Sequence, residues 1–309
     1  MKVLIVASNT TGSLSPFVQE QVKSLSRLGV EFDYYGISEK GITGYLKCRH
    51  SLVHKIEAYK PDIIHAHYGL SGLLANLQRK VPVITTFHGS DVHSKGVLLQ
   101  LSRICMRLSA FNIFVSKRIC QMAGYKKKNH VIQPCGTDIS NFYIFSKQEA
   151  RQSLGWREND KYILFAGAFE NAVKNSELAE KAVSLLKDCR LVELEGYNRA
   201  EVNVLMNACD CLLMTSDREA SPMVIKEAML CGCPIVSVDV GDVKEVISET
   251  EGCFIAKREP QAIADKLLQA LAFEGKTNGR DRVIQLGLDL SVVAKRIQAI
   301  YNEVGKTRN

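Results

Sequence analysis

The chain has 309 residues, of which 46% are hydrophobic and 24% are charged. This length and balance predict a globular protein of two domains and exclude the disordered and fibrous classes. No segment approaches the ~20 consecutive apolar residues that cross a bilayer. The short apolar run at the N-terminus is more typical of a first strand than of a signal peptide, so we expect a cytoplasmic protein.

The net charge of +7 is unevenly distributed along the chain. Residues 1–150 hold 19 Lys and Arg against 9 Asp and Glu, whereas the remainder holds 21 against 24. A basic first half indicates either an anionic partner, such as a membrane surface or a diphosphate-linked acceptor, or simply a basic solvated surface. Nucleic acid is disfavoured as a partner because the basic residues are dispersed and lack an aromatic stacking pattern.

The ten cysteines are scattered, and several lie inside apolar runs. The two C-x-C pairs lack the C-x₂-C spacing that favours tetrahedral zinc. We therefore expect buried free thiols in a reducing compartment.

Short apolar runs alternate with segments of helical periodicity from the N-terminus onward. The pattern predicts strands at residues 3–7, 62–66, 81–86, 111–115 and 131–133, with helices at 16–28, 70–78 and 97–109. Ser15 is the expected N-cap of the first helix and Gly29 its stop. Strands that are apolar on both faces and alternate with helices predict a parallel sheet covered on each side.

The pattern restarts after a polar, turn-rich stretch at residues 136–160. A second series of predicted strands follows at 162–166, 191–194, 211–215, 234–238 and 253–255. The sequence thus predicts two Rossmann-like domains, at 1–145 and 155–289. Residues 8–13 contain a single glycine, Gly12, which argues against a dinucleotide-binding oxidoreductase.

The last segment, residues 289–301, has an amphipathic helical pattern with Ser291 as a plausible cap. Val293, Ile297, Ile300 and Tyr301 fall on one stripe. We expect a docking helix, about 290–304, that packs on its own domain or back on the first.

Residues 215–234 are the most informative part of the chain. Ser221 before Pro222 predicts a helix start, with serine as the cap and proline as the first helical residue. The helix follows a predicted strand, and its free N–H groups, such as that of Met223, would form a phosphate site. Glu227 lies about 7.5 Å farther along the axis, roughly the distance from a diphosphate to a ribose. Glu219 precedes the cap; the alternative is that both glutamates are merely solvent-exposed.

The chain resembles the retaining glycosyltransferases of family GT4. Glu219 and Glu227 match the E-x₇-E signature of that family. Other matching segments, in family order, are residues 86–91 (TFHGSD), 133–138 (QPCGTD) with Phe142, 165–167 (FAG) with Lys174 and Asn175, and 241–247 (GDVKEVI). Residues 15–18 (SPFV) and 64–69 (IHAHYG) resemble members that make bacterial cell-surface polysaccharides. The resemblance covers nearly the whole chain.

The resemblance implies a GT-B fold, an α/β architecture of two Rossmann-like domains facing each other across a cleft. It implies transfer of a hexosyl group from a nucleotide-sugar donor, held by the C-terminal domain, to a glycan or lipid-linked acceptor, with retention of anomeric configuration. The pathway would be cell-surface polysaccharide synthesis, with the enzyme in the cytoplasm or peripheral at the inner face of the membrane. No metal and no cofactor beyond the nucleotide-sugar co-substrate are expected.

The resemblance also implies roles for individual residues. Glu227 would hold the ribose hydroxyls, and Glu219 the donor sugar hydroxyls. Lys174 would neutralise the diphosphate, and Gly12 and its neighbours would let the backbone approach it. His88 would lie beside the reacting centre, so that Glu219 and His88 are the catalytic candidates. The donor-binding candidates are Glu227, Lys174, Gly12, Gly167, Ser221, Pro222, Met223 and Arg218.

One departure from the family pattern concerns the diphosphate. Most members have Arg directly after the glycine at the start of the second domain, where this chain has Ala168, and Lys174 comes one residue later than usual. Arg218 is the nearest cation in sequence that could replace the missing guanidinium, although it could equally be a surface residue.

Several alternatives remain open from the sequence. A nucleotide-sugar epimerase shares the double-Rossmann build, and a non-catalytic GT-B-like subunit would share the fold without activity. His65 and His67 face one side of a strand and could form a zinc triad with His88, but polar packing at the interdomain cleft is favoured. Lys126, Lys127 and Lys128 form either a solvated loop or a membrane-attracting patch.

Overall fold

The computed structural model describes residues 1–9, 14–94 and 96–306. The chain divides into two compact units, Met1–Gly136 together with the chain from Leu290 onward, and Thr137–Asp289. The division falls before the predicted domain end at residue 145. The C-terminal helix belongs to the first unit.

The first unit is an α/β fold built on a six-stranded parallel sheet of order β2-β1-β3-β4-β5-β6. Its elements are β1 (Lys2–Ser8), α1 (Pro16–Ser26), β2 (Glu31–Ile37), α2 (Gly41–Lys47), α3 (Arg49–Tyr59), β3 (Ile63–His67), α4 (Gly69–Asn76), β4 (Val83–Phe87), α5 (Ser90–His93), α6 (Val97–Leu108), β5 (Phe111–Phe114), α7 (Lys117–Ala123) and β6 (His130–Ile132). Ser15 is the N-cap of α1, as predicted.

Alternation along β1 shows why this sheet is covered on both faces. Val3 and Ile5 pack into one apolar cluster, and Leu4 and Val6 into another. Successive side chains of a strand point to opposite faces, so a strand that is apolar throughout must be covered on both sides. The predicted doubly covered parallel sheet is confirmed.

A long C-terminal helix, α15 (Leu290–Lys306), completes one of these clusters. The predicted stripe is buried, and Tyr301 is fully enclosed. The helix begins at Leu290, itself buried, so Ser291 lies inside it and the predicted cap is wrong. The helix packs against α1 and the sheet through the residues that its 3.6-residue period places on one face.

The second unit has a five-stranded parallel sheet of order β11-β10-β9-β7-β8. Its elements are α8 (Lys147–Ser153), β7 (Lys161–Phe165), a 3₁₀ turn (Ala172–Lys174), α9 (Ser176–Val183), β8 (Cys189–Glu193), α10 (Arg199–Ala208), β9 (Cys211–Met214), α11 (Met223–Leu230), β10 (Ile235–Val238), α12 (Val243–Ile247), β11 (Cys253–Ala256), α13 (Pro260–Leu271) and α14 (Gly279–Gln285). Each unit is therefore a Rossmann-like α/β domain.

Helix α8 lies inside the polar stretch that was predicted to be rich in turns, and it was not predicted. Its Arg151 donates to Asp210 Oδ2 at 2.8 Å, and both side chains are buried. Asp210 also accepts from the backbone N–H of Tyr162 at 2.7 Å. This paired charge ties α8 to the amino ends of β7 and β9, a long-range contact that local periodicity does not reveal.

All ten cysteines are free thiols, and seven of them are buried, in agreement with the sequence. Among the described residues, no helix is long and apolar enough to cross a membrane.

Candidate active site

The second sheet has a switch point between β7 and β9. The chain passes from β7 to its neighbour β8 on one side and then crosses to β9 on the other side of β7. In open α/β sheets, ligands bind beyond the carboxyl ends of the strands at such a point. The loop after β7 carries Gly167 and Lys174, and the loop after β9 carries Glu219. The topology thus brings predicted residues from separate segments to one edge.

Lys174 and Glu219 are in direct contact at this edge. The Lys174 Nζ donates to Glu219 Oε1 at 2.7 Å, and both side chains are largely buried, with 23% and 16% exposure. The backbone carbonyl of Lys174 accepts from the Thr215 hydroxyl at 3.0 Å, which links the two loops a second time. A cation and a carboxylate are therefore held side by side by a charge-assisted hydrogen bond.

Two glycines allow the close packing around this pair. A Cβ on Gly167 would lie 2.8 Å from Cγ of Lys174, so only glycine permits the lysine chain to cross the backbone there. Gly241 has φ +58°, and a Cβ there would lie 2.8 Å from the carbonyl oxygen of Ala220, next to Glu219. The glycine-containing turn after β10 therefore supports the loop that carries Glu219.

Helix α11 starts differently from the prediction. It begins at Met223 with Pro222 as N-cap, so the assignments of Ser221 as cap and Pro222 as first helical residue are wrong. The Ser221 hydroxyl instead donates to Asp242 Oδ2 at 2.5 Å and accepts from Lys226 Nζ at 2.9 Å. Lys226 is fully buried and its ammonium requires a polar partner, so the Ser221 hydroxyl is engaged there and does not cap the helix.

Asp242 and Lys226 are structural residues that sequence reasoning missed. Burial raises the pKa of Asp242, while the Lys226 ammonium and the Ser221 hydroxyl oppose that shift. The three side chains connect the start of α11 to the turn before α12 (Val243–Ile247). The N-terminal N–H groups of α11 are thereby fixed at the same sheet edge as Lys174 and Glu219.

Glu227 lies on α11 and is almost completely buried, with 5% side-chain exposure. Its Oε1 accepts a hydrogen bond from the Arg199 guanidinium, at the start of α10. Arg199 was not among the predicted residues. The only sequence signal near it was the N-x-x-E capping pattern of Asn198 and Glu201, which marks a helix start and not a partner for Glu227.

The remaining donor-side candidates are dispersed. Arg218 is exposed next to Glu219, and Ala168 is half-buried beside Gly167. Arg258, which was not predicted, donates to the Ser216 carbonyl at 2.7 Å and to Asp217 Oδ1 at 3.1 Å, and so supports the loop after β9. Gly12 lies outside the described residues.

His88 lies in the first unit, just after β4, within a cluster of aromatic rings. Its Nε2 is 2.9 Å from Nδ1 of His67, and its ring packs on Phe17 and Tyr68 with centroids 4.7 and 4.8 Å apart. Burial and the neighbouring His67 hold the pKa of His88 well below its usual range. Both imidazoles are therefore neutral near pH 7, and His88 acts there as a hydrogen-bonding group and not as a cation.

His65, on the same strand as His67, extends this cluster toward the C-terminal helix. His65 Nδ1 is 2.6 Å from the Tyr301 hydroxyl, and its Nε2 is 2.7 Å from Oγ1 of Thr86. The rings of His65 and His67 stack at 4.5 Å, which confirms that they share a face of the strand. Within the described part of the chain, no three His, Cys, Asp or Glu side chains are grouped to hold a metal ion.

A pocket of about 450 Å³ opens beside this cluster at the carboxyl ends of β1 and β3. The sheet order places its own switch point between these two strands. The pocket combines an apolar wall of Ala7, Leu70 and Leu98 with polar groups, which are one carboxylate and several hydroxyls: Asp91, Ser8, Ser15, Tyr45, Tyr68, Ser90, Ser94 and Ser102. Burial raises the pKa of Asp91 to about 6, although backbone N–H groups, including that of Gly89 at 2.9 Å, stabilise its charged form. Such a lining suits a polyhydroxylated ligand.

Comparison with known proteins identifies the family. A family model described as Glycosyltransferase Family 4 matches residues 2–141, and one described as Glycosyl transferases group 1 matches residues 156–272. Together the two matches cover most of the chain. TuaC of Bacillus subtilis (strain 168), named as a glycosyltransferase of teichuronic acid biosynthesis, is 23% identical in an alignment of 286 positions that covers 80% of this chain and 72% of TuaC.

Solved structures share the fold over the whole length. The sucrose-phosphate synthase of Thermosynechococcus elongatus is 15% identical with a TM-score of 0.85, covering 99% of both chains. Anabaena Alr3699/HepE, in complex with UDP, is 16% identical with a TM-score of 0.77, covering 98% of this chain and 100% of that one. The fold is accordingly GT-B, and the chain belongs to the family 4 (group 1) glycosyltransferases.

Proposed function

We propose that this glycosyltransferase moves a hexosyl group from a nucleoside diphosphate sugar to a glycan or lipid-linked acceptor, with retention of anomeric configuration. The observation that carries the proposal is the convergence of Lys174, Glu219 and helix α11 at the switch point of the second sheet. Lys174 balances the diphosphate, Glu219 accepts from sugar hydroxyls, and Glu227 accepts from the ribose. The name of TuaC supports a role in cell-surface polysaccharide synthesis.

The donor proposal also has support from structural neighbours. Anabaena HepE has been solved with UDP-glucose as well as with UDP. A uridine diphosphate sugar is therefore the first donor to test. The acceptor pocket is the hydroxyl-lined cavity of the first unit, where Tyr68 joins the cavity to His88.

The proposed reaction proceeds without a protein nucleophile. The bond between the anomeric carbon and the diphosphate oxygen breaks as the acceptor hydroxyl approaches the same face, and the hydroxyl proton passes to the departing diphosphate. Lys174 and the N–H groups at the start of α11 stabilise the charge that develops on the leaving group. Because these groups supply the positive charge, we propose that no metal is needed and that EDTA leaves turnover unchanged.

A donor screen tests this proposal. Thermal unfolding would be measured with UDP-, GDP-, ADP- and dTDP-sugars, and a ligand at 100 times its Kd should add about 2.7 kcal/mol of stability. The stabilising donor would then be incubated with glycan and lipid-linked acceptors, and the anomeric configuration of the product read by NMR. Acceptor-independent interconversion of the donor sugar would indicate an epimerase, and donor binding without turnover would indicate a non-catalytic subunit.

Substituting Arg218 tests whether it replaces the arginine that most family members have at the position of Ala168. We expect Arg218→Ala to raise the donor KM about fivefold, because an exposed charged contact contributes up to about 1 kcal/mol. Steady-state kinetics would measure the effect. Arg190→Ala, which removes an exposed arginine from its ion pair with the half-buried Asp160 in the same unit, is the matched control. Kinetics identical to wild type would make Arg218 a surface residue and leave Lys174 as the side chain that binds the diphosphate.

The basic first unit predicts attraction to an anionic membrane. Lys126, Lys127 and Lys128 are exposed between α7 and β6. Neutralising all three should weaken sedimentation with vesicles containing acidic lipid about tenfold at physiological salt, without changing donor affinity. Neutralising the exposed Lys161, Lys181 and Lys187 of the second unit is the control. Equal binding to neutral vesicles in high salt would contradict the idea.

A further inference from the structure

An ion pair near the proposed donor site has one member without an assigned role. Arg199 donates through NH1 to Oε1 of Glu227, whose side chain is only 5% exposed, while the arginine is 34% exposed. A carboxylate buried to this degree requires a charged or strongly polar partner. Arg199 supplies that partner from a different helix, 28 residues earlier in the chain.

The backbone of Arg199 and its guanidinium are each held by a separate set of contacts. Arg199 is the first residue of α10, and the helix start is held by a capping box. In it the Asn198 side chain accepts from the Glu201 N–H at 3.1 Å, and Glu201 accepts from the Asn198 N–H at 2.7 Å. The guanidinium carbon also lies 5.8 Å from the centre of the Phe142 ring, within the range of a cation–π contact. These constraints distinguish Arg199 from a mobile surface arginine.

The helices that carry the two partners are also joined. Helix α10 bears Asn203, whose Oδ1 accepts from the Cys231 thiol, directly after α11, at 3.1 Å. Arg199 and Glu227 therefore lie on two helices that are also linked by this hydrogen bond. The Arg199 guanidinium contacts the Glu227 carboxylate directly, through a charge-assisted hydrogen bond between the two helices, and no loop lies between them.

We propose that Arg199 is a positioning residue that holds the Glu227 carboxylate in the orientation that accepts the ribose hydroxyls of the donor. The inference rests on the proposed role of Glu227 in donor binding. An ionised carboxylate has about four lone-pair sites, so a carboxylate that is oriented by a guanidinium can also accept from hydroxyl groups. Without the guanidinium, the glutamate side chain has more than one rotamer available, and its acceptor atoms are no longer preorganised.

The experiment compares UDP-glucose with 2′-deoxy-UDP-glucose as donors for Arg199→Ala, Arg199→Lys, Glu227→Gln and the control Arg190→Ala. We expect Arg199→Ala to raise the KM for UDP-glucose about tenfold, with kcat changed much less, and to reduce the preference for the ribose donor. Arg199→Lys should recover part of both effects, because an ammonium can still donate to Oε1. Combining Arg199→Ala with Glu227→Gln should cost little more than Glu227→Gln alone.

The outcomes separate this inference from the proposed function. If Glu227→Gln keeps the wild-type preference for the ribose donor, the assignment of Glu227 is wrong. If Glu227→Gln loses that preference while Arg199→Ala keeps both it and the donor KM, only the role of Arg199 is overturned. A lowered melting temperature with unchanged KM would likewise make Arg199 a purely structural partner. Circular dichroism of each variant shows whether it is folded. If Arg199→Ala is not folded, Arg199→Lys tests the positioning role of Arg199.

Discussion

Glu227→Gln is expected to lower kcat/KM for donor about 10- to 150-fold. Glutamine keeps the shape of the side chain but replaces one acceptor oxygen with a donor, so about one hydrogen bond from a ribose hydroxyl is lost. A hydrogen bond to a charged group contributes roughly 1.5–3 kcal/mol, and about 1.36 kcal/mol corresponds to one decade. Since the ribose contact exists in both the ground state and the transition state, much of the loss should appear as a higher donor KM.

The structure indicates that this variant will fold. The change preserves the volume of a side chain that is 95% enclosed, and the Arg199 guanidinium left behind is 34% exposed, so water can compensate part of its charge. Glu177→Gln, at an exposed position of α9, is the matched control and should behave like wild type. The measurement is steady-state kinetics over a range of donor concentrations, together with donor-induced thermal shift. A folded Glu227→Gln variant with wild-type kinetics would remove Glu227 from the donor site.

Apolar runs predicted the strands well. Every described strand except β2 was predicted within two residues at each end, including β6 and β8, which are only partly buried. Strand β2 was missed since it lies at the sheet edge and its residues alternate between exposed and half-buried, with only Ile37 buried. Helices α2 and α3 were missed for a related reason, since few of their residues are buried.

The candidate site was predictable where the residues lie near a strand end. Lys174 and Glu219 are 45 residues apart, yet both follow strands that flank a switch point, and they meet at 2.7 Å. Arg199 was not predictable in the same way. Its contact with Glu227 depends on how α10 packs against α11, and neither residue carries a local signal for the other.

The error at Ser221 has a similar origin. A serine before a proline is a strong local signal for a helix cap, and the prediction used only that signal. A fully buried ammonium five residues later needs hydroxyl and carboxylate acceptors, and this tertiary demand outweighs one capping bond. The helix starts only two residues after Ser221, so the location of the proposed phosphate site is nearly unchanged.

Lys174→Ala is expected to have the largest effect of any substitution considered, a loss of about 100- to 1,000-fold in kcat. The reason is that Lys174 is the cation already placed at the switch point, and the diphosphate gains charge as its bond to the sugar breaks. Removing one preorganised group that stabilises developing negative charge typically costs about 2.7–4 kcal/mol in the transition state. The position usually occupied by the family's arginine is Ala168, which cannot compensate.

The contact with Glu219 makes this prediction specific. Lys174→Ala also leaves a carboxylate of 16% exposure without its ion-pair partner, whereas Glu219→Gln removes the negative charge but keeps the lysine. Glu219→Gln should therefore lower kcat with little change in donor KM, because contacts to the sugar hydroxyls strengthen as the anomeric carbon gains positive charge. Lys174→Arg, which keeps the charge in a larger group, should retain part of the activity.

Lys181→Ala provides the matched control for Lys174, because Lys181 forms an exposed ion pair with Glu177 one turn away on α9. Exposed pairs of this kind contribute about 0.3–0.5 kcal/mol to stability, so this variant should unfold and turn over like wild type. Single-turnover measurements at saturating donor would separate the chemical step from donor binding. If Lys174→Ala loses only donor affinity and keeps its single-turnover rate, Lys174 binds the diphosphate equally in the ground and transition states, and the charge of the leaving group must be stabilised by the N–H groups at the start of α11.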